Sequence, residues 1–157
     1  MSDDIKTRMW KEMADHPYVM AKIEDAHDHA IPMNAVLDDD AHGHFWFYHT
    51  KDGRLAKGGR AMVQYVAKGH DLFACISGTL VAETDPAVID RYWNNSVAAW
   101  YEGGKQDPKL LMLRFDLDDA EIWTADGSIT GAFKLMTGMT MKGGEFGEHA
   151  DVSLQNG

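Results

Sequence analysis

From His44 to Lys57 the chain reads His-Phe-Trp-Phe-Tyr-His-Thr-Lys-Asp-Gly-Arg-Leu-Ala-Lys. These residue types suit one kind of chemistry: holding an anion beside a flat, apolar group. The Thr50 hydroxyl can donate a hydrogen bond. The Asp52-Gly53 turn presents backbone N–H groups, and Arg54 and Lys57 add positive charge. The aromatic run Phe45 to Tyr48 can line a planar ligand. Lys51 and Arg60 extend the cluster, which stands out in a chain of net charge −10. The same cluster also fits a plain solvated basic face.

Other chemistries find less support. His27 and His29, and His42 and His44, place imidazoles two residues apart, a spacing that shares one face of a strand. Both pairs lie in or beside loops, and no third ligand follows at a matching spacing, so no metal site is expected. Cys75 has no neighbouring base. Ser77 lacks the Gly-x-Ser-x-Gly elbow, and neither a Walker A loop nor a dinucleotide fingerprint occurs. Any catalysis must therefore come from a bound cofactor. Five tryptophans are many for this length, and Trp93 and Trp100 lie seven residues apart on one helical face. They either pack that helix onto the body or border a pocket or subunit interface.

The 157 residues suit a single domain, and a 45% hydrophobic content fits a globular chain. The acidic balance disfavours nucleic acid and anionic membranes as partners. One cysteine rules out an internal disulfide, and Cys75 in its apolar run is expected to be a small core residue. The N-terminus is acidic with no apolar stretch behind it, and no run approaches a membrane span. A soluble, cytoplasmic protein is expected.

The elements that must position the motif follow from pattern. Residues 1–16 read as a helix capped by Ser2, with Ile5, Met9 and Met13 forming an apolar stripe and Pro17 ending it. Strands are expected over Tyr18–Ile23, Ala30–Leu37, His44–Thr50, Ala61–Ala67, Leu72–Glu83, Leu110–Leu117 and Ala120–Thr124. Asp38–Gly43 reads as a hairpin loop, Arg54–Gly59 as at most a short helix, and Asp118-Asp119 as a turn. Gly78 within a strand marks a bulge or bend. Asp85-Pro86 starts a helix carrying Val88, Ile89, Tyr92, Trp93, Val97 and Trp100. A short helix over Ile129–Met136 is possible, and residues 126–157 form an unassigned tail. Short strands with turns between them indicate an antiparallel barrel of about six strands, spanning residues 17–125 with one inserted helix.

With these motifs in order, the chain resembles the FMN-binding split barrels related to pyridoxamine 5′-phosphate oxidase, in their general stress protein branch. Four segments carry the likeness. They are Phe45-Trp46-Phe47-Tyr48-His49-Thr50 with its basic turn, Ile76-Ser77-Gly78-Thr79, Ile89 to Asn94 leading to Ala99 through Pro108, and Leu111-Met112-Leu113-Arg114 with Ala120-Glu121-Ile122-Trp123. The segment with Trp100, Gly103-Gly104 and Asp107-Pro108 is the most specific.

The resemblance implies a mainly β, six-stranded antiparallel split barrel that forms a homodimer with FMN in clefts between the subunits. The aromatic strand fits a dimer, because Phe45 to Tyr48 puts rings on both faces and the outer set needs cover. Carried over, Thr50, Arg54 and Lys57 fall on the flavin phosphate, with His49 beside it. Met33 and Asn34 would face the ring, and Trp93 and Trp100 would border it. The oxidase pattern has lysine six residues after threonine; here Ala56 stands there and Lys57 follows, while Arg54 replaces the usual serine. Basic residues for a substrate phosphate near the C-terminus are also missing, so pyridoxamine phosphate oxidation itself is not expected. The implied role is a stress-associated flavin-dependent oxidoreductase of unknown substrate. The alternatives are a non-catalytic flavin-binding or scavenging module, and a deazaflavin- or haem-binding barrel.

Overall fold

The structure, a computed structural model, describes residues 2–39, 43–125 and 149–154. Helix α1 (Ser2–Asp15) precedes strands β1 (Tyr18–Ile23), β2 (Ile31–Asn34), β3 (His44–Thr50), β4 (Gly59–Val66) and β5 (Leu72–Ala82). Helices α2 (Pro86–Tyr92) and α3 (Asn95–Ala98) and a 3₁₀ turn (Gly104–Gln106) lead to β6 (Leu110–Thr124), and β7 (His149–Ser153) follows.

Every ladder is antiparallel, and hydrogen bonds join the strands in the order β2-β1-β4-β5-β6-β3. The two ends of that path meet where Val36 and Trp46 exchange backbone hydrogen bonds of 2.7 and 2.9 Å. Six strands thus form a nearly closed barrel, which removes most of the free edge that an open sheet would expose. Strand β7 adds to β6 outside this path, within the tail that carries no sequence motif.

Phe45, Phe47 and Phe115 fill the interior, with tilted and edge-on ring contacts at 5.3 to 5.6 Å. Helix α1 closes one end with the expected stripe: Ile5, Met9 and Met13 are buried, and Trp10 joins them. The Trp10 indole donates to the carbonyl of Asp38, and the Tyr65 hydroxyl donates to that of Glu12. Burying each such side chain contributes about 1.5–3 kcal/mol.

Four elements differ from the sequence expectation. Strand β2 ends at Asn34, because Ala35 donates to the carbonyl of Pro17 and Val36 then turns to Trp46. The chain changes partner there, at the corner that closes the barrel. The expected single helix after Asp85 is two. Trp93 is extended, and Asn94 caps a new helix by accepting from the Val97 N–H.

Asp118-Asp119 is no turn: β6 runs through it for 15 residues. Ser77 pairs with Asp119 and Gly78 with Leu117, so Asp118 is the extra residue of a β-bulge. Gly78 is needed here, since a Cβ would lie 2.4 Å from the carbonyl oxygen of Asp116. Residues 51–58 form consecutive turns without a helix, ended by Gly58 and Gly59 at φ 68° and 94°. The short helix expected at Ile129–Met136 lies outside the described residues, as do residues 40–42 of the expected hairpin loop.

Candidate functional site

Strand β3 sorts its aromatic residues by alternation. Phe45 and Phe47 point into the core, while Trp46 and Tyr48 point outward. The outer pair is covered by the chain's own α2. Trp46 packs on Tyr92 at 5.1 Å, and the Tyr48 hydroxyl donates to the carbonyl of Ile89 at 2.7 Å. The cover that the sequence reading sought from a second subunit is therefore intramolecular. Burial pushes the Tyr48 phenol far above its usual pKa, so it stays a neutral donor. Asp38 fastens the same helix by pairing with Arg91 and accepting from the Tyr92 hydroxyl at 3.2 Å.

Between this helical cover, the end of β3 and the segment running from β2 into Leu37 lies a cleft of about 680 Å³. Its volume falls in the range of cofactor and drug-sized ligand sites. Met33, Asn34, His49, Thr50 and Trp100 all line it. Tyr48, Tyr92 and Tyr101 give it aromatic walls, and Asn94 and Ser96 add polar groups from the α2–α3 region. Trp100 stands at 83% exposure, an aromatic plate with one side on the cleft and most of its surface in solvent. No Lys, Arg, Asp or Glu belongs to the lining among the described residues.

The tyrosines and Asn94 were not among the expected site residues. Tyr48 was legible in principle, being two residues from Thr50 and so on the same face of β3. Tyr92, Asn94 and Tyr101 depend on how the helix breaks, which periodicity does not reveal. Trp93 is absent from the lining. It stands behind the cleft wall, edge-on to Tyr48 at 5.7 Å and tilted on Tyr101 at 6.0 Å.

The turn after Thr50 is built around His49. The buried imidazole accepts the Leu55 N–H on Nε2 at 3.1 Å. The ring proton therefore sits on Nδ1. Gly53 lies against the ring so closely that a Cβ would come 2.1 Å from Nε2. On the other side the Tyr101 hydroxyl donates to the His49 carbonyl at 2.8 Å. Burial holds the imidazole pKa below its usual value, with the Asp52 carboxylate pulling the other way.

Arg54 and Lys57 are not brought into the cleft. The Arg54 guanidinium donates to the His29 carbonyl at 3.2 Å, and Lys57 pairs with Asp25 at 3.1 Å. Arg60 approaches Glu24 at 3.7 Å and Asp118 at 3.5 Å. The loop between β1 and β2 thus carries the partners of both expected phosphate cations. The residues fit a flavin in two parts. The uncharged, aromatic cleft suits a planar ring system. A phosphate would have to engage the turn that begins at Thr50, with Lys57 released from Asp25.

Cys75 lies half-buried with its Sγ 4.0 Å from the sulfur of Met62, and burial pushes its thiol pKa up. It is not the fully enclosed core residue expected from its apolar run. Among the described residues, no helix is long and apolar enough to cross a membrane.

A family model described as pyridoxamine 5′-phosphate oxidase like matches residues 4–145. Among solved structures, a protein designated general stress protein 26 from Jannaschia sp. CCS1 is 30% identical. That alignment covers 96% of this chain and 98% of the other, with a TM-score of 0.77. A general stress family protein from Xanthomonas campestris pv. campestris is 44% identical over 82% of this chain and 92% of its own, with a TM-score of 0.74. The general stress FMN/FAD binding protein of Xanthomonas citri is also 44% identical, over 81% and 93% respectively, with a TM-score of 0.73. No curated protein matches the chain.

Proposed function

The chain belongs to the pyridoxamine 5′-phosphate oxidase-like family, and on that premise we propose that it binds FMN and works as a stress-associated flavin-dependent oxidoreductase. The observation that carries this reading is the aromatic cleft of about 680 Å³, where Met33, Asn34, His49, Thr50 and Trp100 converge. The name of the Xanthomonas citri relative, an FMN/FAD binding protein, supports the same ligand.

A bound flavin would supply the redox chemistry. The chain's own part is to hold and shield it. The tyrosine walls and Trp100 offer apolar surface to the ring, and the Asn34 amide can hydrogen-bond its polar edge. Thr50 can donate to the phosphate, with Arg54 and Lys57 supplying charge. Among the described residues the cleft lining holds no cation for a second, substrate phosphate, which argues against pyridoxamine phosphate as the substrate.

A non-catalytic flavin carrier is the second reading. It is favoured by the absence of any carboxylate or lysine from the described lining, and by a His49 ring whose Nε2 is already occupied. A homodimer with shared clefts is part of the proposal. Its support is an apolar outer face on the barrel, where Tyr18, Met20 and Val66 are 70%, 40% and 49% exposed.

Titration with FMN tests the main reading. Flavin fluorescence should change and the absorption bands should shift on binding; no change in either would sink it. Reduction of the bound flavin by NADH or NADPH then separates the readings: a rapid, saturable rate means an oxidoreductase, and none means a carrier. The absorption spectrum of freshly purified protein separates flavin from a deazaflavin or haem.

A further inference from the structure

We propose that His49 is the positioning residue of the turn after Thr50, its imidazole acting as the hydrogen-bond acceptor that shapes the turn for an anion. Three contacts lead to this. The Nε2 atom accepts the Leu55 N–H at 3.1 Å and so ties the end of β3 to the middle of the turn segment. Gly53 lies so close to the ring that a Cβ there would come 2.1 Å from Nε2. Tyr101 anchors the His49 backbone from the far side at 2.8 Å. The ring is thus clamped between a glycine, an amide and a tyrosine-held carbonyl.

An imidazole that accepts on Nε2 cannot donate from that atom, so His49 does not grip an anion through it. Its effect is indirect. The Leu55 amide fixes the middle of the turn segment, and with it the path of the backbone that carries Arg54 and Lys57. Protonation of Nε2 would set two N–H donors against each other and release Leu55. Burial disfavours that protonation and Asp52, in the turn itself, favours it. From the other elements, Leu111 pairs with His49 on β6 and the Tyr101 phenol follows α3, while Lys51 and Arg54 are the cations of the adjoining turn. Below the imidazole pKa the turn should loosen.

This inference rests on the flavin-phosphate reading, so the test includes a readout that needs no flavin. Parent, His49→Gln and His49→Leu are compared from about pH 8 down to about pH 4.5, a range that runs well below the ordinary histidine pKa because burial lowers that of His49. The amide oxygen of glutamine can replace Nε2 as acceptor and does not titrate; leucine cannot accept. FMN and riboflavin are titrated into each protein. The protection of the Leu55 amide against hydrogen exchange, relative to its intrinsic rate, is measured on flavin-free protein.

At pH 8 His49→Leu should weaken FMN binding by about tenfold, as expected for losing one organising hydrogen bond, and riboflavin binding by clearly less. His49→Gln should restore most of the FMN affinity. The FMN phosphate itself takes up a proton near pH 6, so the pH effect is read as parent against His49→Gln. The parent should lose at least about threefold more FMN affinity on acidification. Leu55 protection should be high in the parent at pH 8, retained in His49→Gln, lost in His49→Leu, and reduced in the parent towards the acid end of the series.

Parental FMN affinity and pH profile in His49→Leu would overturn the proposal. So would equal Leu55 protection in the parent and His49→Leu. If His49→Leu does not fold, divergence of the parent from His49→Gln on acidification supports the proposal, and coincidence overturns it. If FMN fails to bind the parent, the flavin reading falls and the Leu55 amide alone decides.

Discussion

The ammonium of Lys57 lies 3.1 Å from the Asp25 carboxylate, an ion pair joining the basic turn to the loop between β1 and β2. The ammonium holds the Asp25 carboxyl below its usual pKa. A phosphate at the turn must compete with this carboxylate for the same cation. Lys57→Ala should weaken FMN binding by about tenfold while riboflavin, which has no phosphate, is unaffected. Asp25→Asn should act in the opposite direction. Both groups are well exposed, so the gain should stay within about fivefold. Fluorescence titration of parent, Lys57→Ala and Asp25→Asn, each with FMN and with riboflavin, checks both. Equal losses for FMN and riboflavin would remove Lys57 from the phosphate.

Thr50 enters the cleft at the end of β3, directly before the turn. Thr50→Val keeps the β-branched shape and removes the hydroxyl. FMN affinity should fall by about three- to tenfold, less than for Lys57→Ala, because a neutral donor contributes less than a charged one. Riboflavin again serves as the control, and a parallel loss of both ligands would mean the variant has changed the cleft itself.

Gly53→Ala should cost about 1–3 kcal/mol of folding stability, since its Cβ would overlap the His49 ring. The penalty should shrink when His49→Ala is made in the same chain, because the three atoms nearest to that Cβ belong to the imidazole. Urea unfolding of the two single variants and the double variant measures the coupling. Simple additivity would mean that Gly53 is required for its backbone and not for the ring.

The pH dependence of stability has a defined sign. With the His49 pKa lowered by folding, the unfolded chain takes up the proton first as pH falls. The contribution of His49 is complete above the unfolded value of about 6.5 and drains away as pH drops from there towards the lowered folded value. The urea midpoint of flavin-free parent should fall faster between pH 7.5 and 5.5 than that of His49→Gln. Parallel curves would show that burial leaves this imidazole untouched.

Light scattering tests the dimer. A mass near twice 17.5 kDa is expected at micromolar concentration. Introducing charge on the outer face, as Val66→Glu, should lower it towards one chain. A 17.5 kDa species that still binds FMN would refute shared clefts.

Alternation and turn chemistry made most of the barrel legible. The bounds of β1 and β3 match the pattern, and Ile5, Met9 and Met13 bury as their spacing requires. What the pattern misjudged was chemistry with two local solutions. Two consecutive aspartates ordinarily signal a turn, but opposite Ser77 and Gly78 the ladder absorbs one of them as a bulge. Asn94 can sit inside a helix or cap one, and tertiary contacts of Tyr92 and Trp93 decide for the cap.

At the site, the short-range part was visible: Thr50 beside His49, with Met33 and Asn34 on the strand before. The long-range part was not. That Arg54 and Lys57 turn to the β1–β2 loop depends on where residues 25 and 29 fall in space. A list of cations and their spacing contains no such information.

The ladder of β3 also sets an order of assembly. His49 pairs with Leu111 and Thr50 with Leu110, some sixty residues further along the chain. Strands β1, β2, β4 and β5 can pair as soon as residue 82 has left the ribosome. Until β6 is made, the strand pairing described for β3 is the exchange between Val36 and Trp46. Such distant pairings are slow to form, because the intervening loop must close first. The segment rich in aromatic rings therefore waits without its full ladder, and the nascent chain is most exposed to aggregation along what becomes one wall of the cleft.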